Sequence, residues 1–108
     1  MEITFDDFKK IDMRIGEVKE AEQVPESRNL IRLVADFGVE KRQCVAGLLR
    51  YYKPEELIGK KFVFVMNMQP RKLMGIKSQC MILAAEDGTR NVSLITSDRD
   101  IAAGSKIG

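Results

Sequence analysis

The chain has 108 residues, of which 44% are hydrophobic and 31% are charged. This balance supplies enough apolar side chains for a folded core and is too apolar for an intrinsically disordered protein. We therefore predict a single globular domain over residues 1–108. The first ten residues carry acids where a secretory signal is basic and then apolar, and no apolar run approaches a membrane span. A cytoplasmic location is the resulting expectation.

Histidine is absent, and the two cysteines, Cys44 and Cys80, are far apart in the sequence. A zinc site of Cys/His type and a nucleophile activated by histidine therefore have no basis in this chain. No glycine pattern matches a phosphate-binding loop or a dinucleotide fingerprint. We expect two free, buried thiols, no metal, no cofactor and no catalytic activity.

Charge is unevenly distributed along the chain, although the formal net charge is only +2. Residues 41–77 hold 9 Lys/Arg against 2 Asp/Glu, whereas residues 1–40 hold 6 against 10 and residues 78–108 hold 3 against 4. One basic third in a weakly charged protein is typical of a phosphate-binding face. A solvated, lysine-rich surface is the alternative, and charge alone does not distinguish the two.

The first predicted element is a short N-terminal helix. Thr4 and Asp7 form a capping-box pattern, and two phenylalanines and two lysines follow the threonine. From Ile11 the apolar residues recur with a period of two, and this pattern slips just past Gly16. Such a slip is typical of a strand that carries a bulge and bends around a barrel corner.

Further strands follow, with one helix among them. After a first loop at VPESRN, strands are predicted at LIRLVADF and RQCVAGL. Pro54 and Gly59 bracket a short helix, since proline favours the first turn and glycine the position after the end. The apolar run FVFVM indicates a strand covered on both faces, and CMILAA and VSLIT are predicted as later strands.

This order of elements predicts an all-β, five-stranded Greek-key barrel of the OB-fold class. A helix between the third and fourth strands and a long basic loop before the fifth are both typical of that fold, whose first and fourth inter-strand loops flank the nucleic-acid face. An SH3-like barrel is the alternative, and the helix that begins at Pro54 favours the OB-fold. The final residues are expected to form a C-terminal extension.

The segment QPRKLMGIKSQ carries the strongest functional signal. Arg71, Lys72 and Lys77 supply cations for phosphates, and Ser78 and Gln79 supply neutral groups for sugar or base edges. In the alternative interpretation the charges only solvate a loop whose apolar residues tuck into the barrel. We favour RNA binding.

Two other features bear on the kind of RNA. Ser27 and Arg28 in the first loop are a weaker candidate pair, which gains weight only if the fold places them beside the basic segment. Aromatic residues make up 6% of the chain, and Tyr51 and Tyr52 are the only candidates for exposed rings. Single-strand binders need several stacking platforms, so we predict recognition of structured RNA through shape, phosphates and 2′-hydroxyls.

The sequence also resembles a known family over nearly its whole length. It is similar to the tRNA-binding domain at the C-terminus of many bacterial methionyl-tRNA synthetases, in the stretches DFKKIDMRIGEV, CVAGLLRYYKPEELIGKK, VMNMQPRKLMGIKSQCMILAAEDG and SDRDIAAGSKIG. The family includes separate β subunits, free tRNA-binding proteins and the endothelial-monocyte-activating polypeptide II group. The resemblance implies an OB-fold, a homodimer built through the chain ends, sequence-tolerant binding of tRNA near its outer corner, and a methionyl-tRNA synthetase catalytic chain as a partner.

The resemblance further implies a binding face. Carried over by position, the family's binding residues correspond to Ser27, Arg28, Asn67, Arg71, Lys72, Ser78 and Met81. We add Arg42 as a cation that assists from across this face. The chain departs from the family pattern at Glu26 and Asn29, which lower the positive potential of the first loop, and at Cys80, which adds bulk.

Other functions stay open. A secretion-chaperone-like branch of the same fold is thought to bind peptides, but AGLLRYYKPEELIGKK is closer to the synthetase branch. An enzyme is the third class, and it lacks a catalytic constellation here.

Apolar residues are concentrated near both chain ends, at Ile3, Phe5, Phe8, Ile11, Ile101, Ala102, Ala103 and Ile107. They exceed what the core of a small barrel absorbs, and exposed apolar surface of this kind needs a partner. The ends therefore predict a homodimer.

Overall fold

The computed structural model describes residues 1–108 and contains two short helices and ten strands. In chain order these are α1 (Phe5–Lys9), β1 (Met13–Gln23), β2 (Ile31–Asp36), β3 (Lys41–Ala46), α2 (Pro54–Leu57), β4 (Lys61–Val65), β5 (Arg71–Leu73), β6 (Ile76–Ser78), β7 (Met81–Ile82), β8 (Ala84–Glu86), β9 (Val92–Leu94) and β10 (Lys106–Ile107). Neither helix has the length and apolar character that crossing a bilayer requires.

The main sheet is antiparallel, with the spatial order β3-β2-β1-β4-β7 and with β10 added on β1. Strand β1 is shared between its neighbours, because residues 13–17 pair with β4 and residues 17–23 pair with β2. A long strand shared in this way curls the sheet into a nearly closed barrel of five strands. The predicted OB-fold, with a helix between its third and fourth strands and a C-terminal extension, is confirmed.

The barrel closes where β3 meets residues 77–80, a junction that we call the seam. The Gln79 N–H donates to the Gln43 carbonyl at 2.8 Å, and the Val45 N–H donates to the Ser78 hydroxyl at 3.0 Å. No regular ladder pairs β3 with β6 or β7. Individual hydrogen bonds, some of them from side chains, therefore hold the last part of the barrel in place.

The core lies inside this barrel. Strand β2 alternates buried and half-buried residues, and β4 is buried over Phe62–Val65 on both faces, as predicted for FVFVM. The rings of Phe37 and Phe64 meet edge to face with centroids 5.3 Å apart. A Cβ added to Gly16 would lie 2.6 Å from the Phe37 ring, so this glycine leaves room for an aromatic side chain.

The bulge predicted in β1 is present, and the structure places it slightly later in the strand than the sequence pattern did. The register against β2 shifts between Val18 and Glu20, so the bulge follows Gly16 by several residues. Gly16 itself is required by packing in the core. The strand also begins at Met13, after Ile11, which remains outside it.

Both predicted helices are present. The Asp7 N–H donates to the Thr4 hydroxyl at 3.1 Å and the Thr4 N–H donates to the Asp7 carboxylate at 3.3 Å, so the capping box is complete. These hydrogen bonds stabilise the charged carboxylate and lower the pKa of Asp7. Pro54 opens α2, and Gly59 follows its end with a φ of 85°.

The second half of the chain has more short strands than predicted. The segment CMILAA, expected to be one strand, is divided between β7 and β8 at Leu83. The Leu83 N–H still donates to the Val63 carbonyl, but β8 then leaves the barrel and pairs with β9 as a separate hairpin. VSLIT therefore supplies the second strand of this hairpin, and beyond β9 its Ile95 carbonyl accepts from the Val63 N–H of β4 at 2.9 Å.

Candidate nucleic-acid interface

The long basic loop predicted before the last barrel strand is an ordered hairpin formed by β5 and β6, which we call the basic hairpin (residues 71–78). Met74 and Gly75 form its two-residue turn, with φ values of 49° and 79° as in a type I′ turn. Leu73 and Ile76 are half-buried, whereas Met74 is 56% exposed and does not tuck into the barrel. The segment is therefore an ordered β-hairpin with an exposed turn.

The basic hairpin carries three cations, Arg71, Lys72 and Lys77, all of them exposed and none with an acidic group within 4.0 Å. Lys72 and Lys77 are direct cross-strand partners. Like charges in this position destabilise a hairpin unless an anion neutralises them. This arrangement favours a phosphate-binding face over a surface whose charges serve only solubility.

A cleft of about 310 Å³ opens beside the basic hairpin. Seven of its eleven lining residues are hydrophobic, and Arg71 lies among the polar ones. Met68 and Met81 contribute to its wall and are 50% and 42% exposed. A partly apolar cleft with a cation in its wall suits a ligand that presents both ring or sugar surface and a phosphate.

The first loop lies next to one wall of this cleft. The Leu49 N–H donates to the Asn29 carbonyl at 3.1 Å, and a Cβ added to Gly47, which lines the cleft, would lie 3.9 Å from the same carbonyl oxygen. Arg28 precedes Asn29 and Arg50 follows Leu49. Both arginines are exposed cations without acidic partners. The first loop therefore contacts residues 47–49, and Gly47 of this segment lines the cleft beside the basic hairpin. Sequence reasoning did not select Arg50, although it lies in the basic third.

Arg42 forms hydrogen bonds within the protein. Its guanidinium donates to the Met66 carbonyl at 2.6 Å and to the Glu40 carboxylate at 3.0 Å, and its side chain is 27% exposed. The first of these bonds joins β3 to the residue that follows β4. Its charge is thus partly neutralised, unlike the charges of the basic hairpin.

Asn67 also forms internal hydrogen bonds, through both the oxygen and the nitrogen of its side-chain amide. Its oxygen accepts from the Asp12 N–H at 2.9 Å, and its nitrogen donates to the Lys10 carbonyl at 2.6 Å. Asn67 therefore fastens the segment after α1 to the end of β4.

The two predicted serines are buried, at 5% exposure for Ser27 and 7% for Ser78. The Ser27 hydroxyl accepts from the Leu30 N–H at 3.0 Å. The Ser78 hydroxyl accepts from the Val45 N–H at 3.0 Å and donates to the Cys80 carbonyl at 3.2 Å. The first serine shapes the first loop, and the second holds the seam.

The tyrosines differ in exposure. Tyr52 is half-buried against the core, and its hydroxyl accepts from the Leu94 N–H at 3.0 Å. Tyr51 is 42% exposed. Tyr52 is thus a structural residue, and a single tyrosine ring remains for stacking.

Cys44 and Cys80 are free and buried, as predicted. They adjoin across the seam, where the Cys44 thiol and burial raise the pKa of Cys80. Cys80 is therefore protonated at neutral pH. No cluster of three or more His, Cys, Asp or Glu side chains is placed to hold a metal ion.

The fold and this region together define an OB-fold barrel with a basic, partly apolar interface. The chain belongs to the family described as putative tRNA binding domain, whose model matches residues 13–106. The family resemblance found in the sequence is thereby confirmed.

Two methionine–tRNA ligases are among the similar proteins. The one from Methanocaldococcus jannaschii is 56% identical over 100 residues, which are 93% of this chain and 15% of that protein. The one from Thermotoga maritima is 55% identical over 105 residues, which are 97% of this chain and 16% of that protein. The chain thus spans a small part of the curated relatives that it matches.

Solved structures of two kinds share the fold over the whole chain. A MetRS-related protein from Pyrococcus horikoshii is 40% identical with a TM-score of 0.94, and each chain is covered completely. The chaperone CsaA from Bacillus anthracis is 35% identical with a TM-score of 0.90, again with complete coverage of both chains.

Proposed function

We propose that the chain is a non-catalytic tRNA-binding module, either a domain or β subunit of methionyl-tRNA synthetase or a free tRNA-binding protein, which acts in the cytoplasm where tRNA is charged. The observation that carries this proposal is the basic hairpin, whose three cations have no acidic partners and lie beside a partly apolar cleft. Membership of the family and the methionine–tRNA ligase relatives support it.

The predicted site residues divide into those that contact RNA and those that support the interface. Phosphates are bound by Arg71, Lys72 and Lys77, with Arg28 extending the contact to the first loop. Gln79 offers its amide nitrogen, which has no partner within the protein, and Met81 offers apolar surface. The supporting residues, whose polar groups are engaged internally, are Ser27, Arg42, Asn67 and Ser78.

Binding is expected to depend steeply on salt, because phosphate contacts release counterions. With about four to six phosphates neutralised, the slope of log affinity against log salt concentration is roughly −3 to −5. Fluorescence anisotropy of labelled bulk tRNA, titrated with the protein at several salt concentrations, measures this slope. Absence of binding at low salt would remove the proposal.

Replacing Arg71 and Lys72 together with alanine tests the assignment of phosphate contacts to the basic hairpin. Affinity should fall for all tRNAs alike, and the slope should flatten by about one to two units, because two phosphate contacts are lost. The matched control replaces Lys9 and Lys10, which lie at the end of α1, and should leave affinity and slope nearly unchanged. Loss of binding in the control, with binding kept in the Arg71/Lys72 variant, would contradict the assignment.

Peptide binding is the second candidate function. It is favoured by the two half-exposed methionines of the cleft and by the likeness to a chaperone structure. Capture of an unfolded polypeptide, with no change in anisotropy of labelled tRNA, would support this function and exclude the first.

A further inference from the structure

Among the residues of β3, Gln43 makes the most hydrogen bonds to the segment formed by the end of the basic hairpin and Gln79. Its side-chain nitrogen donates to the Lys77 carbonyl at 2.8 Å. Its backbone carbonyl accepts from the Gln79 N–H at 2.8 Å, and its backbone N–H donates to the Gln79 side-chain oxygen at 3.0 Å. Three hydrogen bonds thus join Gln43 to the end of the hairpin and the residue that follows it.

The orientation of the Gln43 side chain is determined by Arg32 on the neighbouring strand. The Arg32 Nε donates to the Gln43 Oε1 at 2.6 Å. The same guanidinium is held by two carboxylates of β1, Glu22 at 3.2 Å and Glu20 at 3.5 Å. Rotating the amide by half a turn would place its NH2 group against the Arg32 N–H, donor against donor. The amide nitrogen must therefore face Lys77.

The carbonyl that this nitrogen binds belongs to one of the hairpin's cations. Side chains alternate between the two faces of a strand, so fixing one carbonyl of β6 fixes the face from which Lys77 projects. Lys72 is its direct cross-strand partner and projects from the same face. Because no ladder joins β3 to β6, the bonds of the seam set this orientation against the mutual repulsion of the two lysines.

We propose that Gln43, held by Arg32, is a positioning residue that orients the basic hairpin so that Lys72 and Lys77 reach phosphates together. The proposal deepens the function proposed above and rests on the hairpin cations binding tRNA. Gln43 itself has no contact with RNA in this proposal. Its effect on binding must therefore pass through the two lysines.

A double-mutant cycle tests this dependence. Gln43→Met preserves the length of the side chain and removes both of its amide bonds. It should weaken tRNA binding about three- to tenfold in the wild-type background, as for directly coupled residues, and by less than about twofold when Lys72 and Lys77 are already alanine. An equal loss in the two backgrounds, or no loss in either, would overturn the proposal.

The matched control is Gln23→Met. The Gln23 side chain also donates to a backbone carbonyl at 2.8 Å, that of Ser27, but it does so in the first loop. Whatever change in affinity it causes should be the same with and without the two lysines. A second variant, Arg32→Met, leaves every bond of the seam in place and should repeat the background-dependent loss of Gln43→Met in weaker form. If it does not, Arg32 has no part in positioning.

Amide hydrogen exchange provides a readout that does not involve tRNA. In the free protein, Gln43→Met should speed exchange across residues 71–78 while β1 and β2 stay protected, and Gln23→Met should not. Unchanged exchange in the hairpin would refute the positioning role even if tRNA binds. Absence of tRNA binding by the wild-type protein, with faster hairpin exchange in the variant, would instead refute the proposed function alone.

Discussion

The Ser78 hydroxyl is a buried bridge between the Val45 N–H and the Cys80 carbonyl. Ser78→Ala leaves that N–H without a partner, so the free energy of unfolding should fall by about 1–3 kcal/mol. Urea denaturation measures this loss, and the salt slope of tRNA binding should not change. Ser93→Ala, at an exposed position of β9, is the control and should have little effect. Unaltered stability of the Ser78 variant would show that the bridge is dispensable.

The titration of Asp7 should affect the local structure of α1. Its pKa in the folded state is lowered by the hydrogen bonds from Thr4, so its stabilising effect on α1 is present above the ordinary value of 3.8. This effect is lost as pH falls from that value through the lowered folded pKa. NMR shifts of the Thr4 amide should follow this loss, and Asp7→Asn should abolish the titration. A Thr4 amide that still titrates in the variant would contradict the capping role.

At the level of elements, the Lys72–Lys77 pair should lower the stability of the basic hairpin but favour tRNA binding. Lys77→Glu turns the repulsive pair with Lys72 into an attractive one, which should stabilise the free hairpin by about 0.2–1 kcal/mol. The same change removes a phosphate contact and should weaken tRNA binding. Hydrogen exchange of the hairpin and anisotropy titrations measure the two effects.

Lys60→Glu is the control for this charge reversal, since Lys60 is exposed, has no acidic partner and follows α2. It alters the net charge equally but should weaken binding far less. Equal losses in the two variants would mean that overall charge, not the hairpin, governs affinity.

At the scale of the whole molecule, we expect a homodimer. Phe5 and Ile3 are 70% and 61% exposed, Ile101 is 42% exposed, and a small apolar groove lies between α1 and β10. Light scattering should give twice the mass of the 12.2 kDa chain, and Phe5→Asp should give a monomer because it places a charge in the apolar surface. Ile58→Asp, at the end of α2, should remain dimeric. A monomer mass for the wild-type protein at micromolar concentration would remove this expectation.

The sequence by itself determined those helices and strands that are stabilised by interactions between residues close together in the chain. The Thr4–Asp7 capping box, the proline that opens α2 and the apolar run of β4 each act through neighbouring atoms, so their patterns predicted them. The order of these elements predicted the OB-fold barrel. The family motifs predicted which segments bind tRNA, and the basic third of the chain indicated the region of the hairpin.

Only the tertiary structure decided which polar side chains are free to meet a ligand. Arg42 and Asn67 look as available in the sequence as Arg71 does, but their partners are Met66 in the first case and Lys10 and Asp12 in the second. Likewise, the positioning role proposed for Gln43 depends on Arg32 and Lys77, which are 11 and 34 positions away from it in the chain. A hydrogen bond between distant residues leaves no local pattern, because it exists only after the barrel has brought its strands together.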